Sequence, residues 1–220
     1  MTFYSEIDKS SKKPVIILGG GGHAKVLLDI LNECKVNIIG YTDINASGAL
    51  SEELKYIGDD EVIFRYHPAE VSLVNGIGLV GDSSLRRRLY EKFTSLGYDF
   101  KQVIHPAAVI SATASLGAGV QVVAGSVIQP GVTIGDNVII NTRASIDHDT
   151  IIGSHSHISP GATICGSVII GCSVFIGAGA TVVQNIHIGD SCVIGAGSLV
   201  LHTLPSNKKA YGVPAKEVSK

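Results

Sequence analysis

Ile134-Gly135-Asp136-Asn137-Val138-Ile139 and Ile176-Gly177-Ala178-Gly179-Ala180-Thr181 follow one plan: an aliphatic residue, a glycine, two small or polar residues, then a small or aliphatic residue at the fifth place. The plan extends in both directions. Counted in sixes from Ile104, an Ile, Leu or Val returns at 104, 110, 116, 122, 128, 134, 140, 146, 152, 158, 164, 170, 176, 182, 188, 194 and 200. None of these seventeen repeats breaks the register. The fifth place holds small or modest residues, from Ala108 through Val120, Ser126 and Val132 to Leu204. An unbroken six-residue period of this length marks a parallel β-helix.

The period predicts the geometry. Places five and six and the next place one form a short strand, so two-residue alternation turns fives and ones inward and sixes outward. Places two to four turn the corner. Glycine recurs at place two (Gly117, Gly135, Gly153, Gly171, Gly177, Gly189, Gly195), joined by Asn141 and Asp147, which makes it the expected position of positive φ. Three sides close a coil of 18 residues, so each residue stacks on the one 18 places earlier, at a spacing of roughly 4.8 Å.

Upstream, Pro14-Val15-Ile16-Ile17-Leu18 reads as a buried strand running into Gly19-Gly20-Gly21-Gly22-His23. A helix from Ala24 to about Asn32 follows, then a second strand near Val36 to Tyr41 that leads to Asp43. This is the layout of a Rossmann-like phosphate loop, in which glycines let backbone N–H groups approach a diphosphate and the helix N-terminus favours its charge. The alternative is a tight strand-to-helix connection that holds no ligand. Gly20, Gly21, Gly22 and His23, with Asp43, are the candidate nucleotide contacts. Gly76 to Gly81 reads as another strand, ending in Gly81-Asp82-Ser83, and Ser83 or Ser84 caps a helix whose Arg86, Arg87 and Arg88 read as a solvated basic face. The expected organisation is a polar tail at 1–12, a Rossmann-like α/β domain at 13–103, the β-helix at 104–205 and a closing cap at 206–220.

A net charge of −2 over 220 residues gives no reason to expect nucleic acid or an anionic membrane as partner. Although 45% of the chain is hydrophobic, no run approaches the ~18 apolar residues of a membrane span. The first dozen residues lack the apolar centre of a secretion signal, so a cytoplasmic location is expected. Cys34, Cys165, Cys172 and Cys192 form no CxxC pair, and they read as free thiols.

Eight histidines are available for chemistry. His105, His155, His187 and His202 fall at corner or outward places and read as surface residues. His148 stands apart, at place three of a corner within Ile146-Asp147-His148-Asp149, stacked between the compact Pro130 and Gly166. A neighbouring carboxylate would orient its ring, and at a corner either Asp147 or Asp149 can converge on it. Ala178 and Ala196 stack one coil apart, where small side chains bare backbone N–H and C=O groups to a ligand such as the pantetheine arm of CoA; a tight corner alone would also ask for small residues.

The repeats resemble those of the hexapeptide-repeat acyltransferases. Val15-Ile16-Ile17-Leu18-Gly19-Gly20-Gly21-Gly22-His23-Ala24-Lys25-Val26 followed by such a helix resembles the sialic-acid O-acetyltransferase group, which includes N-acetyltransferases of UDP-linked 4-amino-4,6-dideoxy sugars. The resemblance implies a left-handed helix, a homotrimer, acetyl-CoA in a groove between two β-helices and a nucleotide sugar on the N-terminal domain. It also implies His148 as the base, Asp149 as the carboxylate that supports its ring, and His157 as a contact to the acetyl donor, although by position alone His157 is equally an exposed face residue. The expected reaction moves acetyl from acetyl-CoA to the 4-amino group of a UDP-linked 4-amino-4,6-dideoxy-N-acetylhexosamine, in bacterial surface-glycan or glycoprotein sugar biosynthesis, with no metal. Sialic-acid O-acetylation is the alternative. Two further classes stay open: a γ-class carbonic anhydrase with His148, His155 and His157 converging on zinc between subunits, and a non-catalytic nucleotide-sugar-binding protein.

Overall fold

The computed structural model describes residues 13–46, 49–50, 52–78 and 84–218. The expected tail at 1–12 and the turn Gly81-Asp82-Ser83 lie outside them. The chain divides into two compact units with the boundary between Pro106 and Ala107.

The first unit is a parallel α/β sheet. β1 (Val15–Leu18) runs into α1 (Gly22–Glu33), then β2 (Ile38–Thr42), β3 (Tyr56–Gly58), a 3-10 turn (Asp60–Arg65), β4 (Ser72–Asn75), α2 (Ser84–Ser95) and β5 (Asp99–Phe100). Their order across the sheet is β3-β2-β1-β4-β5. The strand expected at Gly76 to Gly81 instead lies earlier, as β4 at 72–75, and of the expected span the described residues Gly76, Ile77 and Gly78 have already left the sheet. β1 is fully buried and pairs in parallel with β2 on one edge and β4 on the other. Its unbroken Val-Ile-Ile-Leu run is what a strand covered on both faces requires. Ile16, Leu18, Leu73, Phe93, Tyr98 and Phe100 share one core, in which Tyr90 and Phe100 lie 4.6 Å apart and Phe93 meets Tyr98 edge-on at 5.7 Å. Because the chain first builds outward through β2 and β3 and then returns to place β4 on the far edge of β1, the order reverses between β1 and β4. Ligands of open α/β sheets bind at such a reversal, outside the carboxyl ends of the strands.

The second unit is a three-sided left-handed parallel β-helix. Its strands are two residues long, one shorter than the period suggests, and they occupy places six and one. The first side stacks Val109–Ile110, Val127–Ile128, Ser145–Ile146, Thr163–Ile164, Thr181–Val182 and Leu199–Val200. The second stacks Ser115–Leu116, Thr133–Ile134, Ile151–Ile152, Ile169–Ile170 and His187–Ile188. The third includes Gln121–Val122, Ile139–Ile140, His157–Ile158, Phe175–Ile176 and Val193–Ile194. Every pairing advances by 18 residues, as in Ile139↔His157↔Phe175. Ile146, Ile158, Ile164 and Ile176 at place one, and Val138, Ala144, Ala162 and Val174 at place five, have no exposed surface.

The corners overturn one expectation. From Gly119 to Gly197 the positive φ falls at place four in every repeat, on residues such as Asn137, Arg143, Asp149, His155 and Ser167, and never at place two. Where glycine does hold place two, it is needed for a different reason. A Cβ on Gly153 would lie 2.5 Å from the carbonyl carbon of Gly171 and 2.6 Å from the amide of Cys172, and one on Gly135 would lie 2.7 Å from the Ser154 amide. Successive coils approach at that corner too closely for any side chain.

The tail continues the third side. Lys209–Tyr211 pairs with Val193–Ile194 and then antiparallel with Lys216–Glu217, while Ala210 is fully buried. No helix among the described residues is long and apolar enough to cross a membrane.

Candidate active site

His148 and Asp149 project from the corner between the first and second sides. Asp149 takes the place-four conformation, φ +58, which swings its carboxylate back alongside the ring that precedes it. His148 Nδ1 then lies 2.9 Å from Asp149 Oδ2, with both side chains exposed, at 62% and 68%. An ionised carboxylate only accepts, so Nδ1 carries the proton and the Nε2 lone pair is left as a base. Nε2 has no hydrogen-bond partner among the described residues. Two glycines make this possible. A Cβ on Gly166 would lie 2.6 Å from His148 Nε2, and one on Gly131 would lie 2.5 Å from Asp149 Oδ1. The ring thus lies across the bare backbone of Gly166, in the next coil, and the carboxylate across that of Gly131, in the coil before.

His157 is not an exposed face residue. It points outward from the third side, yet only 7% of it is accessible, and it stacks in register between Ile139 and Phe175. Phe175 meets its ring edge-on at 5.4 Å, and Nε2 lies 3.2 Å from Asn141 Nδ2. Since the amide can only donate there, that ring nitrogen accepts. Asn141 was not among the residues singled out from the sequence, where it stood only as a corner filler. Its signal is the 18-residue stack, which places Asn141 one coil below Ser159 and so beside His157. Ala178 and Ala196 occupy the corner between the third and first sides, the same corner as Asn141. The backbone there is bare: Gly179 and Gly197, one residue on, have nothing within 4 Å of an added Cβ.

These groups do not meet within one chain. His148 and Asp149 stand at one corner, His157, Ala178 and Ala196 at or beside another, and His155 at the third, where its Nδ1 lies 3.1 Å from Asn137 Nδ2. Within one chain the three histidines weighed as zinc ligands therefore diverge, and no group of three or more His, Cys, Asp or Glu able to hold a metal occurs among the described residues of that chain. His105 is not a solvated residue either; its Nε2 lies 3.4 Å from Glu33 Oε2.

In the α/β unit the four glycines divide into two pairs. Gly19 has φ +88, and a Cβ there would strike the Ile77 side chain; a Cβ on Gly20 would lie 2.6 Å from the Tyr41 ring. The fold itself demands those two. Gly21 and Gly22 have nothing within 4 Å of an added Cβ, so the fold leaves them open. Gly21 is the N-cap of α1, which has no side-chain cap and no acidic residue in its first turn. Asp43 is drawn inward: Oδ2 accepts from Gly20 N at 2.7 Å and Oδ1 from Ile44 N at 2.7 Å. It braces the glycine loop against β2. His23 stands in the first turn of α1 with its Cβ against Gly78.

The basic run on α2 requires a correction. Arg87 pairs with Glu91 at 2.7 Å on the surface and Arg88 is exposed, but Arg86 is 1% exposed. Its Nη1 donates to the carbonyls of Asn75 and Ile77, each at 2.8 Å. Burial lowers its pKa to about 9. It takes this position because Arg86, Tyr90 and Phe93 form the buried stripe of α2, at four- and three-residue spacing.

Both units have counterparts among known proteins. Residues 14–93 match the PglD N-terminal domain, and residues 131–166 and 167–202 match the bacterial transferase hexapeptide (six repeats). A histidine-to-asparagine variant of perosamine N-acetyltransferase from Caulobacter crescentus, solved with CoA and GDP-perosamine, is 36% identical over 96% of this chain and 99% of its own, with a TM-score of 0.88. The acetyltransferase domain of PglB from Neisseria gonorrhoeae, solved with acetyl coenzyme A, is 30% identical over 94% of this chain and 100% of its own, with the same TM-score of 0.88. A curated relative, UDP-N-acetylbacillosamine N-acetyltransferase of Bacillus subtilis (strain 168), is 34% identical over 123 residues, and the match spans 51% of this chain and 52% of that protein. With similarity that covers 96% of the chain and reaches both its α/β unit and its β-helix, the chain belongs to the hexapeptide-repeat acetyltransferases related to the GDP-perosamine and UDP-4-amino-sugar N-acetyltransferases.

Proposed function

We propose that this protein transfers acetyl from acetyl-CoA to the 4-amino group of a UDP-linked 4-amino-4,6-dideoxy-N-acetylhexosamine, for bacterial glycan or glycoprotein synthesis in the cytoplasm. The observation that carries the reading is the 2.9 Å His148–Asp149 pair with Nε2 left as a base over Gly166. Nε2 removes a proton from the amine as the nitrogen attacks the thioester carbonyl. The resulting tetrahedral centre collapses, the C–S bond breaks, and the proton passes to the departing sulfur, leaving amide and free CoA. Asp149 holds the ring in the tautomer this requires. The nucleotide diphosphate lies against Gly21 and Gly22 at the N-terminus of α1, where an added side chain would occupy the ligand's space and not the protein's own.

A release assay for free CoA, run with acetyl-CoA against UDP- and GDP-linked 4-amino sugars and sialic acid, tests the assignment. Turnover on a UDP-linked 4-amino sugar is expected to exceed the rest. A preference for GDP sugars would change the nucleotide, a preference for sialic acid would replace N- by O-transfer, and no CoA release from any acceptor would remove the enzyme assignment.

The placement of the groups on different corners supports a homotrimer, in which His148 and Asp149 of one copy face His157, Ala178 and Ala196 of the next. Ile151 and Ile169, stacked on the second side beside the His148 corner, are 47% and 45% exposed and offer an apolar strip for such packing. Light scattering is expected to return three times the 22.9 kDa chain mass. A fully active monomer would contradict a shared site.

A further inference from the structure

We infer that Arg86 is a positioning residue for the nucleotide-sugar loop, acting through the segment Asn75–Ile77. The inference rests on the reading of Gly19–His23 as the diphosphate site, and it extends that site to a second wall.

The wall is built by a reciprocal clamp. Arg86 Nη1 donates to both Asn75 O and Ile77 O, Asn75 Nδ2 donates back to Arg86 O at 2.9 Å, and Asn75 Oδ1 accepts from Ile77 N at 3.3 Å. Both Asn75 and Arg86 are 1% exposed, so the two bonds between them form away from water and hold their geometry tightly, while the two to Ile77 are half-buried. The clamped segment is the exit of β4, the strand on the far side of the topological reversal from β2. It meets the glycine loop along its length. Gly76 N donates to Leu18 O at 2.8 Å, the Ile77 side chain closes over Gly19, and Gly78 lies against His23. Each of these contacts is with the β1–α1 connection that the diphosphate reading requires. A side chain at Gly76 would collide with Leu18 O and Ala24 Cβ, each at 2.8 Å, so the exit of β4 is seated directly on the start of the loop.

A guanidinium suits this task because one nitrogen on a planar group can serve two carbonyls that diverge as a strand ends. Without it the buried Asn75 carbonyl and the half-buried Ile77 carbonyl would each lose a partner, and the segment would relax away from Gly19. The effect should fall on recognition of the nucleotide sugar, while the acetyl donor, bound by the β-helix, should not register it.

Steady-state kinetics of the full-length protein would test this in three variants. Arg86→Met keeps the volume and removes the donors. It is expected to raise the nucleotide-sugar KM roughly tenfold, while kcat stays within about threefold and the acetyl-CoA KM within about twofold. Ile77→Ala, at a half-buried position, spares the clamp and removes only the contact with Gly19; a rise of about threefold in the same KM is expected, and this variant decides the matter if Arg86→Met does not fold. Gly21→Val serves as the reference, because a side chain there meets only the ligand and should raise the nucleotide-sugar KM alone. If Gly21→Val raises it while Arg86→Met and Ile77→Ala do not, or if Arg86→Met raises both KM values equally, Arg86 is structural only and the inference fails. If Gly21→Val leaves the nucleotide-sugar KM unchanged, the diphosphate site itself is misplaced, and the inference falls with it.

Discussion

Replacement of His148 by alanine is expected to lower kcat by roughly 10²–10⁴, the usual contribution of a positioned general base, without loss of thermal stability or of acetyl-CoA binding. The ring is 62% exposed at its side chain and rests on a glycine, so its removal opens no cavity in the core. Asp149→Asn should cost less, because the amide still reaches Nδ1 but no longer requires the proton to sit there. Asp147→Asn should be mild, since Asp147 lies at place two and bonds through its backbone, N–H to Ile164 O at 2.9 Å. Measuring kcat and the melting temperature on the same preparations separates the effects. A His148→Ala protein with unchanged stability and more than about a tenth of the parental kcat would transfer the role of base elsewhere, with His157 the next residue to examine.

The second large effect is on stability and concerns a residue with no chemistry. Gly153→Ala is expected to destabilise the protein by about 3 kcal/mol, the upper end of ordinary overpacking. The new methyl would meet the backbone of Gly171 and Cys172, and that backbone is pinned by the bond from Gly153 N to Ile170 O at 2.7 Å. No side-chain rotation can relieve the collision. Gly161→Asn provides the contrast. Gly161 has φ +67 and open space around its missing Cβ, at the place where Asn137 and Asn185 already adopt the same conformation. Its cost should stay below about 1 kcal/mol. Urea unfolding of both variants checks the pair, and equal midpoints would mean that coil-to-coil approach does not explain place two.

The fold was legible because the inward place one is aliphatic without exception and place five stays small or modest, and an apolar residue turned inward every sixth position admits few other architectures. The assignment of positive φ failed because composition reports both steric crowding and backbone conformation through the same residue. Place two is rich in glycine for lack of room, whereas place four reaches φ near +60 with Asn, Asp, Ser, His and even Arg. The exposure of His157 stayed open because the alternation rule states that place six points outward but says nothing of what covers it. Arg86 was readable in principle: its spacing to Tyr90 and Phe93 puts it on the buried stripe, a stronger signal than its membership of a basic run. The pairing of His148 with Asp149 rather than Asp147 could not be read from spacing, because it depends on the left-handed turn at place four, which periodicity does not locate.

The 18-residue coil also governs how such a gene can change length. Insertion of three hexapeptides between Asn141 and Ala178 would move everything downstream along the axis by roughly 4.8 Å and leave each residue on its own side. Insertion of one hexapeptide would keep every aliphatic residue facing inward, and so fold acceptably, yet would carry Ala178 and Ala196 about a third of a turn away from the corner they share with Asn141. Mutational drift in this architecture therefore has a step size for stability, six, and a larger one for function, eighteen. Length variants that differ by six or twelve residues between these positions should be well folded and inactive.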